Sequence, residues 1–327
     1  MDGVVSLLQR WFAGRSELCK EEGHTHTWRS GAHTSADDYY AKDYREVVAG
    51  QERERRNSEI LRTRMGRIGL SFLASFCSSC LVHVVVGKVL NRMYRTQQAK
   101  RGIALLPPLS LEDSYFLGEK AAAMAHGMLM GGLGGFYMIL HKRRFSKETV
   151  FTYPKECDWL WAASVGFQVY DMVVMVLQRN KRATIWFHHT LVIIGCLFSF
   201  FYRIGTFYPA IFTFTELTLV TTNLSWYLDV FKLRGTPAYT VALILRVLAF
   251  YLFRSFIGPV AVWYGAYRGQ LHQLFRMPRM ATLLVLFNVL SLSCLNGYWT
   301  VALTRMSLRY LLPRYRFFEK NSHHTQQ

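Results

Sequence analysis

Seven segments of about 20 mostly apolar residues dominate the chain between residues 68 and 303. A helix of about 20 residues crosses the roughly 30 Å hydrocarbon core of a bilayer, because each residue adds about 1.5 Å. Strands of a membrane barrel would instead alternate apolar and polar residues. The sequence therefore predicts an all-α, polytopic membrane protein with about seven transmembrane helices. The predicted spans are Ile68–Val89, Ala121–Leu140, Trp159–Leu177, Ile185–Tyr202, Thr206–Leu228, Tyr239–Tyr264 and Met280–Leu303.

The charge of the chain fits a membrane protein. Only 18% of its 327 residues are charged, yet the formal net charge is +18. Basic residues occupy most loops between the spans, where they face anionic lipid headgroups, so the charge requires no nucleic acid. Basic residues are nearly balanced between the two sets of loops, which leaves the membrane orientation open. The C-x-x-C formed by Cys77 and Cys80 lies in an apolar run, and we interpret it as helix packing.

The chain ends and one glycine pattern suggest further organisation. Residues 1–67 form a polar, basic N-terminal extension without a signal peptide, residues 68–90 hold the first transmembrane helix, and residues 311–327 form a C-terminal tail. Protein partners are expected to bind through these termini. Gly127, Gly131 and Gly135 repeat every four residues, so they either pack helices within one chain or pair two chains as a homodimer.

Ionisable and polar residues within the spans are the candidate functional groups, because each is costly in lipid. Folding the third and fourth spans about their short loop places Asp171 within one turn of His188, and His189 then lies near the level of Asn223. Glu216 lies about two turns deeper. These residues are predicted to line one polar cavity. Arg246 and Arg254 in the sixth span are either counter-ions for the carboxylates or extend toward headgroups.

The histidine pair with a nearby carboxylate suits proton transfer. Imidazole has an unperturbed pKa of about 6.5, and a carboxylate orients the ring and stabilises its charged form. Such a group can deprotonate an amine or hydroxyl that attacks a thioester. Adjacent histidines on a helix point about 100° apart, so we expect no metal site. The alternative interpretation is that these residues only form hydrogen bonds between helices.

Three stretches together resemble one family. They are Gly166–Asp171 (Gly-Phe-Gln-Val-Tyr-Asp), the pair His188-His189, and Tyr208-Pro209 followed by Glu216-Leu-Thr218 and Asn223-Leu-Ser-Trp226. The region from about 115 to 310 resembles the TLC domain of ceramide synthases, the translocating-chain-associated membrane protein and the ceroid-lipofuscinosis ER protein. The likeness is greatest to the TLC-domain-containing branch.

The resemblance implies a protein of the endoplasmic reticulum, or alternatively the plasma membrane, that acts in sphingolipid or phospholipid homeostasis through a lipid- or acyl-binding cavity. Ceramide synthases transfer a fatty acyl group from acyl-CoA to a sphingoid amine, and their histidine pair is essential. By this resemblance His188 and His189 act as base and orienter, supported by Asp171. The substrate-binding residues are Glu216, Thr218, Asn223 and Trp226.

The expected ligands follow from these assignments. Arg179, Lys181 and Arg182 are predicted to bind the phosphates of acyl-CoA, which is a co-substrate, and no bound cofactor is expected. Membrane lipids are the expected partners. Glu216 replaces an aspartate of the ceramide synthase pattern, and the second aspartate is missing. The sequence therefore leaves three functions open: acyl transfer, lipid binding without catalysis, and cargo reception or transport.

Overall fold

The computed structural model describes residues 36–101, 108–140, 153–154, 156–180, 182–257, 259, 272, 274–277 and 279–312. These residues are almost entirely helical and include no strand, which confirms the all-α prediction. Most of the N-terminal extension, Lys181 and the tail after residue 312 lie outside the described residues. The chain divides into two compact units, Met1–Glu59 and Ile60–Gln327, and every contact given below lies within the second.

Eight α-helical segments and one π-helical segment are described in these ranges. They are α1 (Ala36–Arg101), α2 (Leu111–Leu140), α3 (Cys157–Leu177), α4 (Ala183–Tyr202), α5 (Phe207–Thr215), α6 (Thr218–Val230), α7 (Pro237–Ala249), a π-helix (Phe250–Ile257) that continues α7, and α8 (Arg279–Leu311).

Five helices within the described residues are long and apolar enough to cross a membrane, as expected of a polytopic membrane protein. They are Arg56–Arg101, Cys157–Leu177, Ala183–Tyr202, Pro237–Phe256 and Arg279–Leu311. The predicted second span, Ala121–Leu140, lies within the 30-residue α2. The predicted fifth span is not one helix, because a turn at Glu216 and Leu217 divides it into α5 and α6.

A tight turn makes α3 and α4 antiparallel neighbours. Arg179 adopts a left-handed conformation with φ of 52° and ends the α3 geometry. The side-chain oxygen of Asn180 then accepts a hydrogen bond of 3.0 Å from the backbone N–H of Arg182. The indole N–H of Trp186 donates to the Asn180 carbonyl at 2.9 Å. This turn brings the start of α4, with its histidines, beside the second half of α3.

The glycine face of α2 packs against the α5–α6 turn. A Cβ atom on Gly127 would lie 2.7 Å from the carbonyl oxygen of Glu216, and one on Gly131 would lie 2.7 Å from Cγ of Leu217. A Cβ atom on Gly135 would likewise meet an aromatic ring of α5. These glycines therefore allow close helix packing within one chain. Homodimer formation stays a prediction.

A buried ion pair joins α1 to the opposite end of α3. Two guanidinium nitrogens of Arg64 donate to the two carboxylate oxygens of Asp158, each at 2.7 Å. The hydroxyl of Tyr153 donates to the same carboxylate at 2.7 Å. Arg64 also donates to the Phe200 carbonyl near the end of α4, at 3.1 Å. This bidentate contact fixes three helices about 13 residues, or roughly 20 Å, from Asp171.

Candidate functional site

A cavity of about 510 Å³ lies between α2, α3, α4, α6, α7, α8 and the π-helix. One end reaches Asn180 and Arg182 at the α3–α4 turn, and the other reaches Glu216 and Arg254. The predicted site residues on its wall are Asp171, Arg182, His188, His189, Glu216, Asn223 and Trp226. The predicted polar groups thus share one space.

His189 has a close partner at each ring nitrogen. Its Nδ1 is hydrogen-bonded to the side-chain amide of Gln168, and its Nε2 lies 2.8 Å from Oδ2 of Asp171. Gln168 and Asp171 are three residues apart on α3, so they share one helix face. The sequence placed Asp171 about one turn from His188, and the structure pairs its carboxylate with the adjacent His189. Loop length fixes the level of a residue on α4, but it does not fix the rotation of the helix.

His188 points to a different set of groups, because adjacent residues on a helix project about 100° apart. Its Nε2 lies 3.6 Å from Oε1 of Glu216. Its ring packs edge-on against Trp299 of α8, with 5.1 Å between the ring centroids. Its buried Nδ1 has no hydrogen-bond partner within the described part of the chain. His188 therefore retains one nitrogen for a ligand or a proton.

Arg254 contacts several side chains at the Glu216 end of the cavity. Its Nη2 lies 3.8 Å from Oε1 of Glu216. Its Nε donates to the Thr218 hydroxyl and its Nη1 donates to the side-chain oxygen of Asn296, both at 2.8 Å. The guanidinium also lies over the ring of Trp299, 5.3 Å from its centroid. Arg254 stands within the π-helix, a conformation that frequently marks functional sites.

A protein-family comparison places this arrangement among known proteins. The model described as the TLC domain matches residues 117–305, which is more than half of the chain. The chain belongs to the TLC-domain family. The matched residues of the TLC domain include the histidine pair and every carboxylate named above on the cavity wall. A search of curated proteins finds no match.

Two predicted residues of the TLC domain do not line the cavity, and a third lies outside the described residues. Thr218 is buried behind the cavity wall and accepts the hydrogen bond from Arg254, so it positions that side chain. Arg179 forms the left-handed turn after α3 and does not line the cavity. Lys181 lies outside the described residues. Of the two described basic residues assigned to acyl-CoA, Arg182 lines the cavity and Arg179 does not.

Asn223 and Trp226 lie on the wall beside α2. The side-chain N–H of Asn223 donates to the backbone carbonyl of Lys120 at 3.3 Å. The ring of Trp226 packs edge-on against Phe116, with 6.4 Å between centroids.

The described residues contain no group of three or more histidine, cysteine or carboxylate side chains able to hold a metal ion.

Several further residues at the site lie outside the predicted site residues. Gln168, Arg254 and Asn296 had a readable signal, because each is a polar residue within an apolar span, and Gln168 precedes Asp171 by three positions. Trp299 had none, since it is an aromatic residue within an apolar span. The site is therefore built from more helices than the three that the sequence indicated.

A second, narrower space adjoins the cavity. It measures about 50 Å³ and lies between α4, α5 and α8. Its wall is largely apolar, with Phe212, Val289 and Leu292 among the lining residues, and Gln168 and Glu216 line both spaces. The polar cluster thus lies between a wide, partly charged cavity and a narrow, apolar slot.

Proposed function

We propose that this TLC-domain protein binds a lipid or fatty-acyl chain in the cavity and acts in the lipid homeostasis of its membrane, with the endoplasmic reticulum as the favoured location. The observation that carries the proposal is the pairing of a charged cavity with an apolar slot at Gln168 and Glu216. A lipid has the same two parts. Its polar group would lie in the cavity, and its chain would enter the slot.

The burial of paired charges supports a binding role. Asp171 and Glu216 are each costly to bury within a membrane helix bundle, and each has a cationic or imidazole partner within 4 Å. Apolar residues at such positions often give a structural core that is equally or more stable. Retaining these groups around an open volume is consistent with contact with a polar ligand.

Acyl transfer is the second candidate, and the free nitrogen of His188 favours it. In this reaction Nδ1 of His188 accepts the proton of an amine or hydroxyl as its nitrogen or oxygen attacks a thioester carbonyl. The new C–N or C–O bond forms, the C–S bond of acyl-CoA breaks, and the proton passes to the departing thiolate. Glu216, near Nε2, orients the ring and stabilises its charged form. His189, engaged on both sides, has a positioning role.

The test is mass spectrometry of the full chain purified in detergent. The protein is incubated with isotope-labelled acyl-CoA and a mixed pool of amine and alcohol lipids, and both bound lipids and products are measured. The variants are His188→Ala and His189→Ala. His83→Ala is the matched control, because His83 is also a histidine within a helix bundle but it contacts Tyr170 outside the cavity.

The outcomes separate the candidates. Labelled product from the wild type and His83→Ala, but not from His188→Ala, would establish acyl transfer. Bound lipid without product in every variant would refute transfer and favour a sensor or cargo receptor that uses the same cavity. Absence of both lipid and product would overturn the proposal.

A further inference from the structure

Arg246 is a buried cation on the cavity wall whose partners are hydroxyl groups. Its Nη1 donates to Ser225 of α6 at 3.0 Å, and its Nη2 donates to Ser307 of α8 at 2.7 Å. Its side chain is almost completely buried, with 6% of the residue exposed. Its Nε is buried and has no hydrogen-bond partner within the described residues.

The carboxylates on the cavity wall already have other partners, so none is left for Arg246. Each of the three lies within 4 Å of a basic side chain, and no ion pair of the described residues includes Arg246. The pairs are Glu119–Lys120 at 2.8 Å, Asp171–His189 at 2.8 Å and Glu216–Arg254 at 3.8 Å. The sequence offered Arg246 as a counter-ion for a carboxylate, and the structure does not place it beside one.

A buried guanidinium without a counter-ion is costly, because desolvation of a charge is offset only by pairing and hydrogen bonding. Arginine also remains charged under all ordinary conditions, so it does not escape this cost by losing a proton. Two serine hydroxyls orient the guanidinium but carry no negative charge. An anion in the cavity would supply the missing partner.

We propose that Arg246 binds an oxyanion of the cavity's ligand, either a lipid carboxylate or a lipid phosphate. The proposal rests on the proposed lipid-binding function and adds the chemical class of the ligand. The planar guanidinium suits both groups, because it binds carboxylate and phosphate oxygens through parallel N–H donors. Nη1 and Nη2 each retain a second N–H after donating to Ser225 and Ser307, and these donors are available to an oxyanion.

The position of Arg246 also sets where the rest of the ligand lies. Ser225, which holds Arg246, and Thr218, which holds Arg254, are seven residues apart on α6. At about 1.5 Å per residue this separation is roughly 10 Å. The bound oxyanion therefore lies about one headgroup length from the cluster of His188 and Glu216, and the apolar part of the ligand points toward that cluster and the slot beyond it.

The test compares anionic lipids with an uncharged lipid that lacks phosphate, by native mass spectrometry of the full chain in detergent. The probes are oleate, phosphatidic acid and a diacylglycerol with the same chains. One charge-assisted contact predicts that at least one anionic lipid binds the wild type roughly 10- to 100-fold more tightly than diacylglycerol. Arg246→Gln should remove that preference by weakening the binding of the anionic lipid, and Arg246→Lys should keep part of it.

The matched control is Arg305→Gln, which removes an exposed cation from the same helix as Ser307. It should leave the preference within about twofold of the wild type, because exposed charges are screened by solvent. Preference for phosphatidic acid over oleate would identify phosphate as the anion, and the reverse would identify carboxylate.

Three results would overturn the inference. They are equal wild-type affinities for the anionic lipids and diacylglycerol, an unchanged preference in Arg246→Gln, and an equal loss of preference in Arg305→Gln. In each of these cases lipid binding itself survives. Failure of every lipid to bind the wild type would refute the proposed function as well. If Arg246→Gln does not fold, the wild-type preference and Arg246→Lys still decide the matter.

Discussion

Substitution of Gly127 by alanine should disturb the candidate site through the backbone of Glu216. The added Cβ would lie 2.7 Å from the Glu216 carbonyl oxygen and 3.1 Å from Cβ of Leu219. A close carbon–oxygen contact is about 3.3 Å, so the turn must retreat by about 0.6 Å. Overpacking of this kind costs about 1–3 kcal/mol. The retreat would also lengthen the contacts of Glu216 with His188 and Arg254, which are 3.6 and 3.8 Å.

The matched control is Gly132→Ala on the same helix, where no atom lies within 4 Å of the added Cβ. Both substitutions gain the same helix propensity, up to about 1 kcal/mol. The difference between the two variants therefore isolates the clash, and we expect Gly127→Ala to be less stable by about 1–3 kcal/mol. Reversible unfolding in mixed detergent micelles measures this difference, and lipid binding by mass spectrometry reports the site. Equal stability and equal lipid binding in the two variants would refute the packing argument.

Three further substitutions test the contacts that hold the fold. Arg64→Gln removes the partly buried cation that is hydrogen-bonded to Asp158, so we expect a loss of about 1–3 kcal/mol in unfolding free energy, with partial recovery when Asp158→Asn is added. Arg254→Gln should cost about 3–5 kcal/mol, because Arg254 is buried more completely than Arg64, and Glu216→Gln in the same chain should restore part of the loss. Unchanged melting of the single variant would contradict this. Thr236→Ala removes the side chain that caps α7 and should cost about 1 kcal/mol, measured against Thr236→Ser as control.

The sequence was sufficient to predict the helical spans, because runs of about 20 apolar residues have few other stable structures in a membrane. It did not predict the turn at Glu216 and Leu217. No proline or glycine interrupts the segment there, and the turn depends on contacts made in the folded bundle. The hydroxyl groups of neighbouring threonines donate hydrogen bonds to backbone carbonyls near the turn. Thr215 and Thr218 form such bonds, at 2.7 and 2.9 Å. The glycine face of α2 supplies the space.

The members of the candidate site were easier to predict than their pairing. Polar residues within apolar spans are rare enough to be recognised one by one, and Asp171, His188, His189 and Glu216 all lie on one cavity. Which histidine meets which carboxylate depends on the rotation of α3 and α4 about their axes. A loop of a few residues permits several rotations, and side-chain packing selects one of them.

The π-helix determines which way the second arginine of its span faces. In a regular α-helix, residues 246 and 254 would differ by about 80° in direction, because eight residues make 2.2 turns. A π-helical turn contains more residues than an α-helical turn, so each residue adds a smaller rotation. The angle between the two positions is therefore smaller, and the side chains of both arginines project in nearly the same direction. Deletion of one residue from this segment, such as the exposed Tyr251, would place the two arginines seven residues apart, and a regular helix then also aligns them to within about 20°. The π-helix thus accommodates one extra residue without turning Arg254 away from the direction of Arg246.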